Sequence, residues 1–184
     1  MNITDLIEQI DSLVIATQRL SISKVSEQDF DVMVAHEQNP KLMHYIRPVE
    51  ALTVTESKIK KCIAPWQGEE KEWCMMVVKL KVSDEAIGMV CFNIESYEHQ
   101  RIEIGYRFGE NHHGQGYGFE AAKALFDYIV SEIKPHKITA YCFAENIASV
   151  AILNKLGMQQ EGLLCQHAKI AAQWHDELIF GVLC

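Results

Sequence analysis

Between Gly105 and Val130 the chain reads GYRFGENHHGQGYGFEAAKALFDYIV, with glycines at 114, 116 and 118. The residues before them, QRIEIGYRF (100–108), alternate strictly: Ile102, Ile104 and Tyr106 fall on one face, Glu103, Gly105 and Arg107 on the other. That is the period of a strand. The residues after them, FEAAKALFDYIVSEI (119–133), place Ala122, Leu125, Phe126, Ile129 and Ile133 on one helical face, and Pro135 closes the run. A turn seldom needs three glycines where a strand hands over to a helix. Glycine removes the Cβ atoms that would keep a ligand from the backbone. The helix start offers unpaired N–H groups and the positive end of the dipole. Phosphate, and best a diphosphate spanning several donors, is the natural guest. Two other readings stand beside this one. The stretch is a flexible turn, or GYGFEA (116–121) is a dinucleotide fingerprint of the G-x-G-x-x-A type. The fingerprint sits poorly after an alternating strand, because a central parallel strand is apolar throughout. No GK[ST] follows, so a P-loop is excluded.

Working outward, RLSISKV (19–25), EWCMMVVKLK (72–81), EAIGMVCFNIE (85–95), KITAYCF (137–143) and two segments near 158–168 and 174–183 read as strands. Helices are expected over 26–38, opened by Ser26 with Asp29 in a capping-box spacing, over 53–64, and over 146–157, with Asn146 as N-cap and Gly157 as terminal glycine. Ile3, Leu6, Ile7 and Ile10 give residues 1–12 the pattern of a short amphipathic helix. The expectation is an α+β fold: one domain over 1–184, a mixed, mostly antiparallel sheet of about seven strands, and helices on both faces.

With 184 residues, 48% hydrophobic and 23% charged, the chain has the composition of a water-soluble domain. Its net charge of −8 argues against nucleic-acid binding, which needs a basic face. No apolar run has the length of a membrane span, and the acidic N-terminal residues do not form a secretory signal. The six cysteines make no CxxC pair. They are expected to be reduced, with Cys74, Cys91, Cys142 and Cys165 buried in apolar runs, and the protein to be cytoplasmic. His112 and His113 have no partner cluster near in sequence, so no metal site is expected.

The glycine segment resembles the diphosphate motif of the GCN5-related N-acetyltransferases, [QR]-x-x-G-x-[GA], read here as His113-Gly114-Gln115-Gly116-Tyr117-Gly118. FEAA is similar to the TEA helix opening of the ribosomal-protein-alanine branch. TQRLSIS (17–23), EIGY (103–106), Asn146 with Ser149, Lys155 with Gly157 and Met158, EG (161–162) and Trp174-His175-Asp176 follow that branch in order, so the likeness spans residues 17–183. It departs from the pattern at His113, where Arg or Gln is usual, and at Leu153, where many relatives carry a tyrosine as general acid.

The resemblance implies acetyl transfer from acetyl-CoA to a primary amine. It implies coenzyme contacts from Tyr106, Arg107 and Phe108 on the strand, from His113, Gly114, Gln115, Gly116, Tyr117 and Gly118 in the loop, and from Asn146 and Ser149 on the later helix. Glu103 is the candidate general base, with Glu72 and Glu95 less well placed; Tyr106 and Trp174 read as core or cleft-wall residues. The expected acceptor is a protein N-terminal α-amine. At pH 7 about 10% of such amines are neutral, against ~0.05% of lysine side chains. A polyamine or other small amine, served by Glu69, Glu70, Glu72 and Glu95, is the alternative. A non-catalytic acyl-CoA-binding protein is a third reading. Nucleic acid and membrane are not expected partners, and a homodimer is left open.

Overall fold

A single eight-stranded sheet runs in the order β1-β2-β3-β4-β5-β6-β8-β7. The strands are β1 (Val14–Ala16), β2 (Leu20–Lys24), β3 (Cys74–Leu80), β4 (Ala86–Ser96), β5 (Arg101–Phe108), β6 (Lys137–Phe143), β7 (Gln159–Ile170) and β8 (Gln173–Leu183). The structure is a computed structural model that describes residues 3–170 and 172–184. The seven expected strands are present. The eighth is β1, a three-residue edge strand too short to show a period, which pairs antiparallel with β2.

Among the described residues five α-helices flank the sheet: α1 (Ile3–Gln9), α2 (Phe30–Glu37), α3 (Leu52–Ile63), α4 (Tyr117–Tyr128) and α5 (Ile147–Lys155). Of the helix expected over 1–12, residues 1 and 2 lie outside the described residues; Leu6 and Ile10 are fully buried in the main core. A π-helical turn over Ile129–Ile133 extends α4, and the stop comes at Lys134 in the left-handed region (φ 55), one residue before Pro135.

Alternation along the strands sorts the core into two layers. Met76 and Val78, Val90 and Phe92, and Ile102 and Ile104 pack on the α4 side with Leu125 and Ile129. Val77 and Met89 face the opposite way, against Met33 of α2 and Ile59 of α3. All strand pairs are antiparallel except β5 with β6, whose parallel pairing requires the crossover through α4. That pairing lasts only from Arg101↔Lys137 to Glu103↔Thr139. Beyond Glu103 the two strands part, and a gap opens in the middle of the sheet.

The cap expected at 26–29 forms: the Ser26 amide and hydroxyl donate to Asp29 Oδ2 at 3.0 and 2.7 Å. Asp29 is also ion-paired to Lys79 at 2.6 Å. Burial pushes this carboxyl up, but the hydrogen bonds from Lys79 and Ser26 outweigh it and hold it below its ordinary value. Its stabilisation is therefore present above the unfolded pKa and lost as pH falls through the lower folded one. Asp29→Asn is expected to cost about 2 kcal/mol at pH 7 in urea melts. The gap to wild type should narrow as pH falls below about 4.

Cys74 and Cys142 are buried and Cys91 is half-buried. Cys165 is exposed, contrary to the expectation from its apolar neighbours, because its strand β7 is the sheet edge.

Candidate active site

The chain leaves β5 at Phe108, makes one 3₁₀ turn over Glu110–His112 and enters α4 through the glycine loop. His113 Nε2 hydrogen-bonds the Phe108 carbonyl at 2.8 Å, tying the loop to the end of the strand. Gln115 Nε2 donates to the Asn111 carbonyl at 2.9 Å. Gly114 (φ 72) and Gly116 (φ 81) occupy the left-handed region, and Gly116 is the N-cap of α4. Among the described residues, no backbone N–H from Gly114 to Phe119 finds an acceptor within the chain. The third glycine has a different cause. A Cβ on Gly118 would lie 3.2 Å from Ile152 Cδ1 and 3.4 Å from Phe108 Cδ2, so it lets α4 approach α5 and β5.

The loop is clamped by a residue that the sequence reading left without a role. Arg19 donates from Nη1 to the Gln115 carbonyl at 2.9 Å and from Nε to Glu120 Oε2 at 2.6 Å, and lies 4.2 Å over the Tyr117 ring. Thr17 Oγ1 donates to the other Glu120 oxygen at 2.5 Å. The two segments TQRL and FEAA thus form one clamp across the sheet edge and the helix start. Burial raises Glu120, but the Thr17 and Arg19 hydrogen bonds prevail and keep it below the usual carboxylate range.

A cavity of about 550 Å3 passes through the gap between β5 and β6. Glu103, Gly105, Tyr106, Cys142, Asn146, Ser149 and Glu177 are among its lining residues. Glu103 sits at the last paired position before the strands part, and Asn93 Nδ2 donates to its Oε2 at 2.9 Å. Burial lifts the Glu103 carboxyl above its ordinary value; the Asn93 bond opposes this, and the charges of Glu95 and Glu177 add to it. Across the gap, Tyr106 Oη lies 3.1 Å from the Ser149 carbonyl and 3.0 Å from its Oγ, bridging β5 to the first turn of α5. Asn146 caps that turn, its Oδ1 accepting from the Ser149 amide at 3.1 Å.

The acetyltransferase (GNAT) domain family matches residues 19–159. The chain belongs to the GNAT family. It is an acetyl-transferring enzyme with the mixed GNAT fold. It is 30% identical over 167 residues to the uncharacterized N-acetyltransferase p20 of Bacillus licheniformis, covering 91% of this chain and 94% of that one. The [ribosomal protein uS5]-alanine N-acetyltransferase of Escherichia coli (strain K12) is 30% identical over 96 residues, 52% of this chain and 50% of that enzyme. In fold the chain is similar to the spermidine N-acetyltransferase of Vibrio cholerae, solved with CoA and spermine: TM-score 0.78 at 21% identity over 91% of this chain and 96% of that one.

Within this GNAT domain the expected residues separate into two groups. Glu103, Tyr106, Asn146 and Ser149 meet around the gap, whereas His113 to Gly118 form the loop between β5 and α4 and are not among the residues lining the cavity. Phe108 is buried and carries the His113 bond on its carbonyl. The Arg107 side chain turns to the α2 side and pairs with Glu37, which leaves only its backbone for a coenzyme. Leu153 is buried in the cavity wall and offers no proton. Trp174 is exposed, with Lys169 5.3 Å from its ring centroid, and so is not a core residue.

The carboxylates offered for a polyamine do not gather in this cavity. Glu72 accepts from the amides of Gln67 and Glu69, Glu70 accepts from the Tyr97 amide, and Glu95 pairs with Arg101 and Thr139. No group of three or more His, Cys, Asp or Glu among the described residues is arranged to hold a metal, and no described helix is long and apolar enough to cross a membrane.

Proposed function

We propose that this GNAT enzyme binds acetyl-CoA along the glycine loop and the splayed end of β5, and transfers the acetyl group to the α-amine of a peptide or protein N-terminus. The observation that carries this reading is that β5 runs from Glu103, in the cavity at the strand gap, to a loop whose amides at residues 114–119 are unpaired. Free N–H groups at a helix start suit a diphosphate. The β6-facing edge of β5, unpaired past Glu103, suits the amide-bearing arm of the coenzyme, and Asn146 and Ser149 stand on its far side. His113 serves here by holding the loop to Phe108 and leaves phosphate contact to the backbone.

In this reading Glu103, directly or through one water, takes the proton of the ammonium group. The neutral amine attacks the thioester carbonyl, a C–N bond forms, and the C–S bond breaks. The proton left on the acylated nitrogen passes through water to the departing thiolate, since Leu153 supplies none. Positioning is the larger contribution, worth ~7–11 kcal/mol in favourable cases. A peptide α-amine places a small demand on the base because its pKa lies near 8. The Escherichia coli relative, which acts on a ribosomal-protein alanine, points the same way. The spermidine enzyme shares the fold alone, and three of the four carboxylates offered for such a substrate, Glu70, Glu72 and Glu95, are tied up elsewhere.

Calorimetric titration with acetyl-CoA, followed by thiol release over a panel of amines, tests the reading. Binding is expected together with turnover on peptides beginning with Ala or Ser. Turnover on spermidine but on no peptide would overturn the acceptor, and binding without any turnover would make the protein an acyl-CoA sensor.

A further inference from the structure

The α2–α3 side of the cavity carries more positive charge than the chain neutralises. Arg47, Lys58, Lys61 and Arg107 line it, with Glu37 as the carboxylate among them. Glu37 is buried and shared: Arg107 Nη2 and Arg47 Nη2 both donate to it. Lys58 is satisfied by Glu50, which Arg47 Nε approaches only at 3.4 Å. Arg107, with its side chain 8% exposed, has little else. Its Nη1 faces the thioether of Met43 at 3.0 Å, a weak acceptor, and its Nε has no partner at all. Lys61, exposed at the mouth, has no acidic partner among the described residues. The excess is felt locally: His36 is held below the ordinary imidazole range, first by burial and then by the Arg107 charge. A buried guanidinium with unmet donors is costly unless something supplies acceptors.

The opposite end of the same cavity is negative, with Glu103 and Glu177. Glu103 and Arg107 lie on one face of β5, four residues apart, which separates their Cα atoms by roughly 13 Å. Resting on the α-amine reading above, we infer that the acceptor is a peptide N-terminus with an acidic side chain within its first four residues. The amine lies at Glu103 and the acid is read by Arg107, Arg47 and Lys61. An extended peptide rises ~3.3 Å per residue, so a carboxylate on the second to fourth residue reaches the cationic wall, and one on the seventh overshoots it. The same field repels polyamines and basic N-termini.

The test uses amidated octapeptides beginning with Ala, uncharged otherwise, with Asp or Asn placed at position 2, 3, 4 or 7, and measures kcat/KM by thiol release. Asp is expected to exceed Asn by about threefold to tenfold at one or more of positions 2–4, with no difference at position 7. The advantage should shrink in 0.5 M salt, as rim charges are screened. Lys61→Glu, an exposed substitution that leaves Glu37 paired, should lower the Asp-to-Asn ratio by about threefold or more. Turnover that is equal for Asp and Asn at every position overturns this inference and leaves the α-amine reading standing. Turnover on spermidine and on no peptide overturns both.

Discussion

Glu103→Gln is expected to lower kcat/KM for an Ala-peptide by about tenfold at pH 7, where only about 10% of the α-amine is already neutral. The shape is retained, and the amide oxygen can still accept from Asn93 Nδ2. Removing the charge also removes the repulsion from Glu95 and Glu177, so the thermal midpoint should not fall. The pH profile separates catalysis from structure. In wild type, burial raises the carboxyl, so activity is lost as pH drops through that elevated pKa and the base becomes protonated. The variant has no such limb. Its rate should follow the neutral fraction of the substrate amine and approach wild type above about pH 8, where an α-amine needs no base. A variant with unchanged rate at pH 7 would reduce Glu103 to a strand residue held by Asn93.

Gly116→Val is expected to weaken acetyl-CoA binding at least tenfold, about 1.4 kcal/mol, while the protein stays folded. Gly116 stands at φ 81 as the N-cap of α4, where a β-branched residue is strained. The added Cβ itself meets only Arg19 Nη2, at 3.4 Å, so the cost comes from the backbone and from methyl groups placed beside the unpaired amides. Gly157→Val supplies the control. Gly157 has φ 82 after the end of α5, and nothing lies within 4 Å of its Cβ position. It should lose comparable stability with coenzyme affinity intact. Equal affinity in Gly116→Val and wild type, read by calorimetry, would remove the diphosphate from this loop.

The fold was largely legible because its elements are long and strongly patterned. The alternation of 100–108 put Glu103 and Arg107 on one face and Tyr106 on the other, and the structure keeps that division. Asn146 and Gly157 bracket α5 as capping chemistry requires. What the pattern could not supply was anything across a long separation. Arg19 grips the loop 96 residues away, and only the T-x-R-L spacing hinted that it mattered. Gly118 read as a ligand glycine, and nothing in the pattern showed that Ile152 and Phe108 also leave no room for a Cβ there. Arg107 was expected to meet a coenzyme through its backbone; the pattern gave no sign that α2 presents Glu37 to its side chain.

Local chemistry, written in neighbouring residues, determined the strands, the helix caps and the glycine-opened helix start, because each depends on contacts within a few positions of the chain. The parting of β5 from β6 after Glu103, the charge on the cavity wall and the pairing of Glu37, Glu70, Glu72 and Glu95 were decided by the tertiary structure. The field at any one point is a sum over groups that only the folded sheet brings within reach of one another.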